Sequence, residues 1–523
     1  MKAVIITAVL ACAALSAIAQ RTFERHWTFN NWSAGERVLE VPGSGYYTIG
    51  WNDSLSFDSL GQPQIDYFEG LVTHFDYDGN AIKAFRYGND DTLFNRLFGG
   101  NSDDSFITGV VDSNNRLFLA GWTQSYGVQS FYDYDFWLVK LDTNFNIILN
   151  RNISIPDTAY AMYNTVGISN PQNGITLCGY LKSLTNFIPY AHISAFDSSG
   201  NLLFRGMPLP NEPSELQGIV STSDGGYLCS GVKYNNYFSG DISPLVVKTD
   251  SIGREVWRLV LPYSNDYHFA GDLTATQDGN YVFTWGNVYR SPGATNKVWM
   301  YHASKVDEAG NILWTRDYTY SFNSRIRISE VPNGRLMISG LFTDTLTFGD
   351  AALLILCDQD GYPLWTRTFI GEPGTSPAPM PFCMDANFSS DGGFLLTGQT
   401  SCCNFTPNLG WTSSLWLLKT DSLGLITQVS SGPNNYSNDM HLGFPFPNPV
   451  ADYCSIPVTL APDIGQAQLL LFDLQGRQVA CFPLQSGFQQ LQLDLSPYPA
   501  GEYLLALSIN GFNAGARRLV IGR

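Results

Sequence analysis

The residues that could do acid–base or metal chemistry are few and scattered. The six histidines are His26, His74, His192, His268, His302 and His441. No Cys/His spacing matches a zinc site. There is no H-E-x-x-H, no G-x-S-x-G and no phosphate-cradling glycine loop. The sequence therefore nominates no catalytic residue, no metal and no cofactor. Asp-x-x-Gly recurs along the chain, but without the D-x-[DN]-x-[DN]-G run of a calcium loop. Its chemistry is that of turns: Asp accepts from nearby backbone N–H groups and Gly supplies a positive φ. Asp103, Asp104 and the run Tyr132-Asp133-Tyr134-Asp135 are better candidates for a weak cation or ligand site, although a solvated loop accounts for them too.

The elements that must position these residues are strands. Aromatic residues make up 14% of the 523-residue chain, charged residues another 14%, and there are 49 glycines. That balance suits short strands joined by tight turns. The formal charge of −17 argues against nucleic acid as a partner, because phosphates reward Lys and Arg, and against docking on anionic membrane.

Residues 1–19 read as a signal peptide. Lys2 is the positive start, Ala3 to Ala14 is nearly all apolar, and Ala17-Ile18-Ala19 is a cleavage site leaving Gln20 first. Cys12 would make a poorer lipoprotein signal, with Leu10 where a small residue is usual. No other apolar run is long enough to span a membrane, so no transmembrane segment is expected in the mature chain. Export permits disulfides. Cys178 and Cys229 stand at matching strand positions of neighbouring repeats and read as core residues. Cys383, Cys402 and Cys403 cluster around one repeat, which leaves a bridge from Cys383 to one of the pair open.

One repeat organises the body. It runs turn, apolar strand ending in Gly, variable loop, apolar strand, Asp-x-x-Gly turn, and a strand often carrying Trp. Clear copies contain Asp224-Gly225-Gly226-Tyr227, Asp278-Gly279-Asn280-Tyr281, Asn333-Gly334-Arg335 and Asp391-Gly392-Gly393-Phe394. The second-turn aspartates are Asp76, Asp142, Asp197, Asp250, Asp307, Asp358 and Asp421, spaced 51 to 66 residues apart. In the second copy Phe145 takes the place of the turn Gly. Seven copies, each with a further strand ahead of its first turn (Arg37 to Val41, Arg325 to Val331), predict a seven-bladed β-propeller over residues 20–429. The segment Thr22 to Phe29, with Trp27, is expected to close the ring as the outer strand of the last blade. The repeats also resemble a family common in secreted Bacteroidetes proteins, with Gly99-Gly100-Asn101-Ser102-Asp103 as its characteristic loop; that resemblance implies a propeller and no particular activity.

Residues 430–443 are polar and read as a linker. From 444 to 523 the pattern changes to that of a small Ig-like β-sandwich. Its markers are Pro447-Asn448-Pro449, the turn Asp473 to Arg477 with Gly476, Asp494-Leu495-Ser496, Ala500-Gly501-Glu502-Tyr503, and Arg517-Arg518-Leu519-Val520. In that order they resemble the type A sorting domain of type IX secretion cargo. The departures are Phe446 where Tyr is commoner and Glu502 where an apolar residue or Thr is commoner.

The resemblance implies several things. The type IX machinery is a partner. The route runs through the periplasm to the medium or the outer cell surface. The domain is removed after passage, and the body is released or attached to surface lipopolysaccharide. Residues 441–523 hold five carboxylates against four guanidinium groups, so the acid sits on the body. For the body, the leading expectation is a non-enzymatic module binding a glycan or protein ligand. A secreted polysaccharide- or protein-degrading enzyme with an axial acidic site is the alternative, and a structural surface component the third reading.

Overall fold

The computed structural model describes residues 20–27, 32–57, 63–88, 103–124, 134–154, 158–161, 166–183, 187–237, 241–262, 268–289, 298–321, 326–343, 350–369, 380–406, 410–426, 441–442, 445, 449–460, 467–473, 477–485, 487–509 and 512–522. The expected signal segment 1–19 and most of the linker lie outside these residues, and so does Tyr132-Asp133.

The described chain is all-β apart from one 3₁₀ turn at Pro332–Gly334. Strand β1 (Phe23–Trp27) stands apart from its sequence neighbours. Blade 1 then takes β2 (Ser33–Val41), β3 (Gly45–Phe57), β4 (Pro63–Phe75) and β5 (Ala81–Tyr87). Blade 2 takes β6 (Asp104–Val111), β7 (Leu117–Thr123), β8 (Asp135–Leu141) and β9 (Ile147–Ile153). In blade 3, β10 (Thr158–Ala161) and β11 (Val166–Ser169) both pair with β12 (Ile175–Ser183), followed by β13 (Pro189–Phe196) and β14 (Leu202–Gly206). Blade 4 is β15 (Ser214–Ser221), β16 (Tyr227–Asn236), β17 (Asp241–Thr249) and β18 (Glu255–Val260). Blade 5 is β19 (His268–Ala275), β20 (Tyr281–Tyr289), β21 (Val298–Val306) and β22 (Ile312–Ser321). Blade 6 is β23 (Ile326–Val331), β24 (Arg335–Thr343), β25 (Asp350–Cys357) and β26 (Pro363–Phe369). Blade 7 supplies only β27 (Met380–Phe388), β28 (Phe394–Thr406) and β29 (Gly410–Thr420) from its own stretch.

Every blade is an antiparallel meander, and the inner strands touch in sequence around a closed ring: β2, β6, β11, β15, β19, β23, β27 and back to β2. The ring is a seven-bladed propeller. As expected from the sequence, the chain's first strand closes it. β1 pairs antiparallel with β29, Phe23 opposite Lys419 and Trp27 opposite Leu415. The residue taking the outer aromatic position is Phe23 rather than Trp27, because the other blades place that residue opposite the lysine position: Trp257 faces Lys248 and Trp314 faces Lys305.

The core is divided into seven wedges, one per blade interface. Phe23, Val38, Tyr46, Phe75, Leu395, Leu415 and Leu417 fill the wedge between blades 7 and 1. Phe106, Leu119, Trp137 and Val139 fill the one between blades 1 and 2. Each blade therefore buries both faces, which explains its near-continuous apolar strands such as Leu415-Trp416-Leu417-Leu418. Fully burying one such side chain stabilises by about 1.5–3 kcal/mol.

Connections on the two sides of the ring differ. The links between first and second strands, and between third and fourth, span three to five residues; those on the opposite side span three to sixteen. On the short-turn side, Asp197 Oδ1 accepts from the N–H groups of Ser199 and Asn201 at 2.8 and 2.9 Å. Its pKa is held down first by the Asn201 side chain. Asp76, Asp142, Asp250, Asp307, Asp358 and Asp421 repeat this turn. The turn glycine receives the outer-strand residue of the preceding blade. A Cβ on Gly310 would lie 2.9 Å from Trp257, one on Gly361 2.8 Å from Trp314, one on Gly424 2.7 Å from Trp365, and one on Gly79 2.6 Å from Phe23. Phe145, at φ 68°, replaces this glycine in blade 2 and stacks on Phe85 of blade 1 at 4.6 Å.

A second device ties strand to turn. Lys248, Lys305 and Lys419 are buried near the ends of their strands and donate to Asp224, Asp278 and Asp391 at 2.6–2.8 Å. In blade 2 the acid moves to the first turn position, and Asp112 meets Lys140 at 3.0 Å. In blade 3 the lysine position is Ala195 and the turn begins with Asn170, so acid and base disappear together.

The C-terminal segment forms two facing sheets. One orders β30 (His441–Leu442), β31 (Tyr453–Leu460) and β34 (Gly487–Asp494). The other orders β33 (Gln478–Leu484), β32 (Ala467–Asp473), β35 (Gly501–Ile509) and β36 (Phe512–Ile521). Ile456, Val458, Leu469, Leu471, Leu505 and Leu519 fill the space between them, a small sandwich as expected.

Candidate functional site

The longest connections and most of the buried acidic groups gather on the side of the ring opposite the short turns. Near the axis, most inner strands carry a register irregularity in this half: between Gly35 and Arg37, Phe106 and Thr108, Leu216 and Gly218, Ala270 and Leu273, and Cys383 and Asp385. Such a bulge turns a side chain that would point into a blade interface toward the axis or a neighbour.

Here the molecule concentrates buried charge. Arg37 of blade 1 donates to Asp385 of blade 7 at 3.0 Å, and the Val38 N–H donates to the other carboxylate oxygen at 3.0 Å. Asp272 of blade 5 accepts from the Leu273 N–H at 2.9 Å and lies 3.9 Å from the Arg327 guanidinium of blade 6. Arg327 Nε in turn donates to the Met384 carbonyl of blade 7 at 3.2 Å. Burial pushes the Asp272 carboxyl up, opposed by Arg327 and Arg37. Burial lowers the Arg37 guanidinium, but Asp385, Asp272 and Glu36 together outweigh it and the net direction is up. Two arginines and two aspartates thus link blades 1, 5, 6 and 7. Sequence reasoning missed all four in this role. Their signal was charge inside an inner strand at a place where other repeats carry Thr108 or Gly218.

Further out, blades 1 and 2 carry a carboxylate group beside tryptophans. Glu36, Asp53, Asp104 and Asp135 are buried. Trp51 Nε1 donates to Glu36 at 3.0 Å, the Trp32 N–H to Asp53 at 2.9 Å, and Asn152 to Asp135 at 2.9 Å. Asp103 accepts from the Phe68 N–H at 3.0 Å, and burial pushes its carboxyl up. Thr123 donates to Asp104. The structure thus places Asp103, Asp104 and Asp135 together at one end of the two blades, each held by a donor. Among the described residues no group of three or more His, Cys, Asp or Glu is arranged to hold a metal ion. Asp103 and Asp104 here accept from strand and loop donors.

Two more polar groups lie in the same half. Tyr234 donates to Glu215 at 2.7 Å, and burial raises the Glu215 carboxyl. His302 stacks on Trp285 at 4.1 Å between Asp317 and Asn287, each 2.8 Å away. Burial lowers the His302 pKa against the opposing effect of Asp317. His192 is wholly enclosed between blades 2 and 3, and burial, with Arg205 adding to it, pushes its imidazole down to about 3. The described histidine side chains stay dispersed; His74 lies 3.3 Å from the Ser44 hydroxyl and His26 3.4 Å from that of Thr400.

Cys178 and Cys229 are buried core residues, as the sequence suggested; their matching position is what needs correction. Cys383 is a free, buried thiol opposite Gly398. The side chains of Cys402 and Cys403 lie outside the described residues. Cys178 directly precedes Gly179, whereas Cys229 stands two before Gly231. Their positions differ by one, so they point to opposite faces of their own blades.

In the sandwich, Asp473 repeats the propeller turn: it accepts from the Arg477 N–H at 2.9 Å and from Arg477 Nε at 2.8 Å. Tyr503 donates to the Pro499 carbonyl at 2.9 Å, beside the strand start at Gly501. Arg518 pairs with Leu504 along β36. Pro449 precedes Val450, which bridges to Ile521. Pro447, Asn448 and Gly476 lie outside the described residues, as does Ala19. Gln20 is described and spans two turns of blade 7, donating to the Asp391 carbonyl at 2.7 Å and accepting from the Ser422 N–H at 2.8 Å.

Comparison with known proteins adds the following. Residues 445–521 match the family described as the secretion system C-terminal sorting domain. The chain is thus cargo of type IX secretion, exported to the cell surface or beyond, and its tail is the part that meets the secretion machinery. No curated protein matches the chain. Among solved structures, it is similar to the α-L-arabinofuranosidase of Fusarium graminearum (10% identity, 61% of this chain and 93% of that one, TM-score 0.41). It is also similar to extracellular domains 1–2 of Drosophila Semaphorin 1a (8% identity, 76% and 87%, TM-score 0.44). A third is PorZ, a surface component of the type IX secretion system of Porphyromonas gingivalis (11% identity, 95% and 75%, TM-score 0.24). These likenesses bring no activity to this chain. Among the described residues no helix is long and apolar enough to cross a membrane.

Proposed function

We propose that the propeller is a non-enzymatic binding module whose long-loop side receives a glycan or protein ligand outside the cell. The observation that carries this reading is the asymmetry of the ring. One side is held by turns of three to five residues, whereas the other carries connections of three to sixteen residues. Loops that vary in length on a fixed scaffold are where recognition resides.

The alternative of an axial hydrolase draws on the raised Asp272 carboxyl near Asp385. Asp385 is engaged by Arg37 and the Val38 amide of blade 1, and Asp272 by Arg327 of blade 6 and the Leu273 amide of its own strand. That engagement favours a closing role. A glycan array together with a hydrolase panel on the exported protein tests the choice. Ligand capture without turnover is expected. Hydrolysis lost in Asp272→Asn or Asp385→Asn would overturn the reading.

The same proposal divides the chain into a signal peptide at 1–19 cleaved between Ala19 and Gln20, a body at 20–429, a linker at 430–443 and a removable tail at 444–523. Pro447-Asn448-Pro449, Asp473, Gly476, Arg477, Gly501, Tyr503 and Arg518 form the tail's recognition motif. Surface lipopolysaccharide is the anchor if the body is retained. Deleting residues 444–523 should hold the protein in the periplasm; undiminished secretion would refute this.

A further inference from the structure

Blades 3 and 4 bring two thiols together. Cys178 lies on β12 opposite Val166 and Ile193. Cys229 lies on β16 opposite Ile219 and Val247. All six residues belong to the single apolar cluster between these blades. Their sequence neighbours face away: Leu177 packs toward blade 2 and Leu228 toward blade 5. The one-residue offset between the two cysteines therefore aims one thiol forward and the other backward across the same interface. Both are free thiols with 0% exposure, and burial, with Cys178 beside it, pushes the Cys229 thiol up. The chain is exported, and exported compartments favour disulfides.

We propose that Cys178 and Cys229 form a disulfide that staples blade 3 to blade 4 in the exported protein. The reaction is a thiol–disulfide exchange with a dithiol oxidase of the export route. One cysteine thiolate attacks the oxidase disulfide and forms a mixed disulfide. The second thiolate displaces the oxidase sulfur, and the Cys178–Cys229 bond forms. The oxidase leaves as a dithiol, carrying the two electrons and two protons lost by the pair. Neither sulfur is accessible in the assembled ring, so oxidation precedes the closing of this interface. The bond then lies beyond the reach of reductant until the blades separate.

The test uses the exported protein recovered from the medium. It is unfolded in guanidinium with an alkylating agent, first without and then after reductant, and its peptides are mapped by mass. The expected result is one linked pair containing Cys178 and Cys229, with neither labelled until reduction. Label on both before reduction, or a link from either to another cysteine, would overturn the proposal. Thermal melting gives an independent reading. Strong reductant, added before a cycle of unfolding and refolding, should lower the wild-type midpoint by several degrees and leave Cys178→Ala/Cys229→Ala unmoved. An equal response of the two proteins would also count against the bond.

Discussion

The two sides of the propeller solve different problems with the same strands. On the short-turn side the blades repeat one set of contacts: an Asp-held turn, in every blade but the second a glycine receiving the preceding blade's outer residue, and in four blades a buried lysine on an acid. On the long-loop side there is no common set. Blades 1 and 2 gather carboxylates beside tryptophan, blade 4 pairs Glu215 with Tyr234, and blade 5 sets His302 between Asp317 and Asn287. The difference teaches that this ring separates what holds it from what can vary. Repetition supplies stability on one side, which leaves the other free to diverge.

That contrast can be broken in graded steps. The largest effect should come from Phe23→Ala, which empties the wedge between blades 7 and 1. A loss of about 3–5 kcal/mol is expected for a buried Phe, read by urea unfolding. Next, Asp391→Ala would leave the Lys419 ammonium, 0% exposed, without its carboxylate, at a cost of about 3 kcal/mol. The same assay checks it, and a loss below about 1 kcal/mol would refute the role given to the pair.

A third test concerns pH. His192 is neutral in the folded ring because its pKa is depressed to about 3, whereas the unfolded chain takes up a proton near the ordinary value of about 6.5. Between these values the unfolded state binds more protons, so stability rises with pH and is lost on acidification through that window. The slope from this one group is about 1.4 kcal/mol per pH unit. His192→Phe should remove that share of the slope in melts taken from pH 6.5 to 5. The smallest effect belongs to the loop side: Asp317, 69% exposed, should tolerate Asp317→Asn within about 0.5 kcal/mol. A larger loss there would erase the distinction between the two sides.

The turn side was legible in sequence because its chemistry is local. Asp and Gly at fixed offsets reveal a turn without knowledge of what lies across from it, so seven blades and the closing strand could be read directly. The tail was legible for the same reason, its motifs lying at turns and strand starts such as Asp473 to Arg477 and Gly501 to Tyr503. The charged axis was not legible. Arg37, Asp272, Arg327 and Asp385 come from four blades, and bulges decide where they point. Phe145 was visible as a departure, but its reason, a stack on Phe85 in the preceding blade, lies across an interface. The relation of Cys178 to Cys229 turned on a single residue of register. In strands a one-residue difference reverses the face, and repeat-level alignment blurs that difference.

The pairing of β1 with β29 also sets the timing of folding. Glu24 accepts from Trp416 Nε1 across 392 residues of sequence, so the first strand of the body can find its place only after nearly all the rest has been delivered. Until then the chain is an open arc ending in an unpaired strand edge, the kind of edge that recruits other chains. A fragment stopping short of blade 7 would keep that edge indefinitely. Completeness of the chain is thereby written into its solubility, and a truncated product would announce itself by sticking to its neighbours.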